Sequence, residues 1–122
     1  MQLGLLTDSL ASHPLGQVLD TVADLGLDTV EISTGNWSES PHVQLDKLVE
    51  SPAARSALAH AISSRGLTLS ALNANGNQLH PVTGAEHDRV VRDTIKVASD
   101  MGVPTVVLMS GLPGARGESY PN

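Results

Sequence analysis

The feature that most restricts this chain is a pattern written three times. The stretches DLGLDTVEIS from Asp24, SRGLTLSALN from Ser64 and DMGVPTVVLM from Asp100 each hold a glycine, an apolar residue and then a β-rich run. An amphipathic segment precedes each glycine. Leu15, Val18, Leu19, Val22 and Ala23 recur at three- and four-residue steps ahead of Gly26. Ala54, Leu58, Ala61 and Ile62 do so ahead of Gly66, and Val91, Ile95, Ala98 and Met101 ahead of Gly102. That spacing is helical periodicity. Glycine just past a helix accepts the left-handed conformation that ends it, so each of the three is a stop signal.

Start signals are present too. Ser51-Pro52 reads as an N-cap followed by proline at the first helical position. Thr83-Gly-Ala-Glu86 has the form of a capping box. A short helix is expected around Leu45 to Val49. The strand candidates LGLLT, TVEIS, LTLSALN and TVVLMS are near-continuous apolar runs, as in parallel sheets. The order β-α-β-α-β-α-β then implies right-handed crossovers. The expectation is an α/β domain over 1–122, with four parallel strands in sequence order and helices on one outer face. A closed (β/α)₈ barrel takes about 250 residues, so the chain is expected to be the first half of something larger. The run MSGLPGARGESYPN from Met109 reads as a strand end and a polar, Gly/Pro-rich loop.

Composition narrows the classes. Aromatics are 2% with no Phe, so Leu, Val, Ile and Ala must fill the interior. A net charge of −6 argues against a nucleic-acid partner. The lack of cysteine excludes disulfides and thiolate metal sites, and it fits a reducing compartment; a cytoplasmic location is expected. MQLGLLTDSL has no basic start, so no signal peptide is expected, and no run approaches the ~20 apolar residues of a membrane span. No HExxH, HxH, GxGxxG or P-loop pattern occurs.

The stretch ALNANGNQLHP, from Ala71, turns from a core strand into asparagines, a glycine and a histidine. Together with VEISTGNW after the second strand and VVLMSGLPG after the fourth, it resembles the sugar phosphate isomerase/epimerase family. That is the xylose-isomerase-like TIM-barrel group, and the likeness covers the N-terminal half of its barrel. The resemblance implies proton transfer next to a carbonyl or hydroxyl of a sugar. It also implies a divalent metal (Mn²⁺, Zn²⁺ or Mg²⁺) held by Glu, Asp, His and Glu from later strand ends, which this chain does not contain. The expected partner is a sugar or polyol.

Barrel sites lie at the carboxyl ends of the strands. The candidate binding residues there are Glu31, Trp37, Asn73, Asn75, His80 and Ser110. Asparagine amides donate and accept, as sugar hydroxyls do, although asparagines also build turns. His80 before Pro81 can bind a ligand or cap a turn. A carboxylate at Glu31, inside an apolar strand, needs a partner. Trp37 can stack on a sugar ring or anchor its loop. Asp8 is a weaker candidate, and His60 and His87 are expected on outer helix faces. Catalytic residues are not assignable from this half. Two other functions compete: an endonuclease-IV-like repair enzyme, which the acidic charge and Ser110 in place of histidine disfavour, and a non-catalytic sugar-binding half-barrel. An isolated half is expected to expose two sheet edges and an apolar inner face, and so to oligomerise or pair with a complementary half.

Overall fold

A computed structural model describes residues 1–111. The elements are β1 (Gly4–Leu6), α1 (Leu15–Asp24), β2 (Thr29–Ser33), α2 (Leu45–Glu50), α3 (Pro52–Ser63), β3 (Thr68–Asn73), α4 (Gly84–Met101) and β4 (Val106–Val107). A 3₁₀ turn, Thr7–Leu10, follows β1. The four strands form one parallel sheet in chain order. The expected α/β arrangement is therefore present.

The three glycine stops explain how each helix returns to the sheet. Gly26, Gly66 and Gly102 have φ of 72°, 73° and 69°. The next residue donates its N–H back into the helix each time: Leu27 to Val22 O, Leu67 to Ile62 O and Val103 to Ala98 O. This is the Schellman closure, and its apolar residue tucks under the helix end. At the start of α3, the Ser51 hydroxyl accepts from the Ala54 amide at 3.1 Å, as expected.

One aliphatic core lies between the sheet and its helices. Val18, Leu19 and Val22 of α1, Val30 and Ile32 of β2, Leu72 of β3 and Val97 of α4 are all completely buried. Each contributes about 1.5–3 kcal/mol by leaving water. Only one parity of β2 enters this core: Val30 and Ile32 join it, while Thr29, Glu31 and Ser33 do not. The helices therefore cover one face.

β3 contains a bulge. Val30 pairs with Leu69 but Glu31 pairs with Ala71, which leaves Ser70 as an extra residue. The Ser70 hydroxyl donates to Val30 O at 3.0 Å. Below the bulge Leu67 and Leu69 pack in the core; above it Leu72 and Ala74 do. Inserting one residue exchanges the faces of a strand. Asn73 is thereby placed on the inner face rather than among the leucines.

Four expectations need correction. The inner face is not predominantly apolar: it carries Thr29, Glu31, Ser33, Thr68 and Asn73 beside Leu6, Ala71 and Val107. The buried stripe of α4 runs through Val90, Val91, Thr94, Val97 and Ala98, and Ile95 is 51% exposed. Thr94 can be buried because its hydroxyl bonds Val90 O and meets the Thr34 hydroxyl. The capping box does not form. Thr83 is already near helical geometry (φ −101°, ψ −4°), and Glu86 turns to Arg89 instead. The fourth strand spans two residues, because β4 pairs with β3 only at Val106 and Val107. Among the described residues no helix is long and apolar enough to cross a membrane.

Candidate functional site

The inner-face polar residues meet at the carboxyl ends of β2 and β3. Ser33 and Asn73 lie opposite each other in register, and Glu31 lies two residues below Ser33. Glu31 and Asn73 are in direct contact: the Asn73 side-chain N–H donates to Glu31 Oε1 at 2.6 Å. The Asn73 Oδ1 accepts from the Asn75 amide at 2.9 Å, an Asx-turn. Both ends of the Asn73 amide are thus fixed, and the residue is only 7% exposed.

The pair has capacity left over. Glu31 keeps a second carboxylate oxygen, and Asn73 keeps a second amide hydrogen. An acceptor beside a donor is the complement of a hydroxyl group, which gives one hydrogen and takes another.

The loops that hold this pair are tied to one another. The Asn73 carbonyl accepts from the Thr34 amide (2.9 Å) and hydroxyl (3.1 Å). The Thr34 hydroxyl also meets Thr94 Oγ1 at 2.7 Å, which links both strand ends to α4. Asn36 has φ of 66° and sends its side-chain N–H groups to Ala74 O and His87 O. The Trp37 amide donates to Asn75 O at 3.0 Å. Ser38 donates to the Asp8 carboxylate at 2.6 Å and joins the loops after β1 and β2. His42 bridges Thr7 Oγ1 and His13 O.

Buried polar atoms without a protein partner gather here as well. Among the described residues they are Asp8 Oδ1, Asn36 Oδ1, Asn75 Oδ1 and both amide atoms of Gln78. All lie in the loops after β1, β2 and β3. Buried polar groups are otherwise nearly always hydrogen-bonded, so each such group calls for an explanation.

The six residues expected from sequence are not all assembled. Glu31, Asn73 and Asn75 form one connected group. Trp37 joins through its backbone, and its side chain is 47% exposed. His80 has a capping role: its Nδ1 accepts from the Val82 and Thr83 amides at 3.1 and 3.0 Å, and its carbonyl accepts from Gly84 N. Ser110 is exposed beyond the end of β4. The later part of SGLPG, from Leu112 onward, lies outside the described residues. Sequence reasoning did not single out Asn36, Gln78, Ser38 or Thr34. Gln78 sits in the same polar stretch, which was its available signal. His87, expected on an outer face, is half-buried, and its Nδ1 accepts from the Asn77 amide at 2.8 Å.

No group of three or more His, Cys, Asp or Glu side chains is placed to share a metal ion among the described residues. Asp8, Glu31 and His80 therefore do not fit a divalent ion as a set.

The chain was compared with known proteins on this basis. No family model matches it. It is 41% identical over 124 aligned residues to the uncharacterized protein YfiH of Bacillus subtilis (strain 168). The alignment takes in all of this chain and 40% of that relative's length. A solved structure, a xylose isomerase-like TIM barrel/4-hydroxyphenylpyruvate dioxygenase fusion protein, superposes with a TM-score of 0.60. That match covers 92% of this chain and 16% of the other, at 15% identity. The fold is therefore an α/β arrangement like half of a TIM barrel, with four parallel strands in one sheet.

Proposed function

We propose that this chain supplies the first half of the strand-end pocket of a barrel enzyme that moves a proton beside a carbonyl or hydroxyl of a sugar or polyol. An isomerase, an epimerase and a related lyase or dehydratase share that step. The observation that carries the reading is the Glu31–Asn73 pair, 2.6 Å apart on the inner face at the carboxyl ends of β2 and β3. Substrate sites of barrels lie at that end. The pair offers one acceptor and one donor to a hydroxyl, and Asn75 braces it from the next loop. Its work is to bind and orient, because holding a substrate in reactive geometry lowers the barrier of any later step.

The residues that move the proton belong, on this reading, to strands outside the described residues. So do the ligands of any divalent metal; such an ion would polarise the substrate oxygens when bound. The relative's greater length leaves room for those strands. The unpaired edges of β1 and β4 and the inner face are then covered by the rest of the barrel, or by a second chain.

The test is isotope exchange. The full-length protein, supplied with Mn²⁺, Zn²⁺ or Mg²⁺, is incubated in D₂O with a panel of aldoses, ketoses and inososes. Deuterium should enter at the carbon beside the carbonyl of at least one compound, detected by NMR. No incorporation in any member of the panel would rule out the proposed chemistry.

A further inference from the structure

The charge and hydrogen-bond inventory at the strand ends carries a statement about the ligand, one that rests on the polyol reading above. The loops after the four strands span residues 7–14, 34–44, 74–83 and, as far as described, 108–111; none contains a lysine or arginine. The six described cations lie on helices or in one turn, and of these Lys47 and Arg89 line a cavity that the 34–44 loop borders. Lys47 is on α2, Arg55 on α3, Arg65 in the turn after it, and Arg89, Arg92 and Lys96 on α4. All but Lys47 are held in ion pairs with Asp or Glu. The strand ends do carry carboxylates, at Asp8, Glu31 and Glu39.

Helix amides are the other common anion receptor, and those leading into α4 are occupied. The Val82, Thr83 and Gly84 amides leading into α4 all bond His80. His42 is spent on Thr7 and His13. Meanwhile Asp8 Oδ1 is a buried acceptor with no partner among the described residues, and it cannot be re-oriented into a donor. Unpartnered acceptors (Asp8 Oδ1, Asn36 Oδ1, Asn75 Oδ1 and Gln78 Oε1) outnumber the donating amides of Asn73 and Gln78.

We infer that these strand ends receive an uncharged, hydroxyl-bearing part of the ligand, and that a phosphate group is not bound there. A phosphate would face Glu31 and Asp8 with no lysine or arginine from the described strand-end loops, and like charges set against each other reject a ligand. Hydroxyl hydrogens satisfy the acceptors, and the Asn73 N–H answers a hydroxyl lone pair.

The experiment is a titration of the full-length, ¹⁵N-labelled protein, read at the side-chain amide signals of Asn73 and Asn75. The probes are xylitol, myo-inositol and inorganic phosphate, each alone. A polyol is expected to move both signals, with phosphate at least about tenfold weaker at the same signals. Phosphate moving them as strongly as a polyol that also binds would overturn the inference and leave the polyol reading standing. Failure of both polyols to move them, whatever phosphate does, would remove the polyol reading and this inference with it.

Discussion

At the amino ends of β2, β3 and β4 the chain makes the same kind of connection three times; at the carboxyl ends no two connections are alike. The first set spans four residues each (25–28, 64–67 and 102–105) and contains a left-handed glycine every time. The second set spans eight, eleven and ten residues (7–14, 34–44 and 74–83). Two non-glycine residues with positive φ, Asn36 and Ser40, lie there, as do the unpartnered buried atoms of Asp8, Asn36, Asn75 and Gln78. One end is closed by local backbone bonds that any helix can make. The other is held by side chains from loops far apart in sequence. The difference is that of a barrel whose amino-end turns serve stability and whose carboxyl-end loops serve binding.

The sharpest way to break this contrast is to replace glycines at the stable end. A Cβ at Gly66 or Gly102 meets nothing within 4 Å, so the cost is purely conformational. Gly66→Val and Gly102→Val together should lower stability by about 2–4 kcal/mol, the sum of two left-handed penalties at separate sites. Urea unfolding measures this, and ligand affinity of the folded fraction should not change. A loss of affinity as large as the loss of stability would erase the distinction between the ends.

The opposite substitution sharpens it. Asn73→Ala removes the donor to Glu31 and the acceptor for the Asn75 amide. Polyol affinity in the full-length protein should fall about tenfold, or about 1.4 kcal/mol, by calorimetry. The urea midpoint should move less than in the glycine pair.

His80 tests where the boundary lies. As a cap it should cost about 1 kcal/mol of stability when changed to alanine. If His80→Ala weakens polyol binding by more than Asn73→Ala does, His80 belongs to the site and not only to the helix start.

The smallest effect belongs to the outer surface of α4. Hydrogen bonding from Arg89 holds the Glu86 carboxyl below its ordinary 4.5, and Lys96 holds Asp100 below 3.8. A carboxylate with a lowered folded-state pKa stabilises above its unfolded pKa. Its contribution disappears as pH falls through the lowered value. Acid unfolding should therefore show a minor loss of stability starting below pH about 4.5, and high salt should diminish it because both groups are exposed. A loss that salt leaves unchanged would mean that buried carboxylates are responsible instead.

Legibility followed the same divide. The glycine stops, the helices between them and the Ser51 cap were readable because each is a short-range pattern. Asn73 and Glu31 stood out as polar groups in apolar strands. Their contact did not, because strict alternation through LTLSALN groups Asn73 with Leu67 and Leu69; only the pairing with β2 reveals the extra residue at Ser70. Asn36, Thr34 and His87 were hidden for a related reason. Each matters through a partner 10 to 60 positions away, a distance at which local patterns carry no information. The choice of Thr94 over Ile95 for burial likewise depends on a hydroxyl from another loop.

The Ser70 bulge has a consequence for how the sequence can drift. Point replacement of Ser70 forfeits one hydrogen bond to Val30 O, a loss of about 1 kcal/mol that selection can tolerate. Deleting any one residue between Leu69 and Asn73 is a different kind of error. Everything downstream would exchange faces, sending Asn73 toward the helices and Leu72 toward the pocket. Descendants of this gene are therefore expected to vary in which residue occupies position 70, but hardly at all in the number of codons between Leu69 and Asn73.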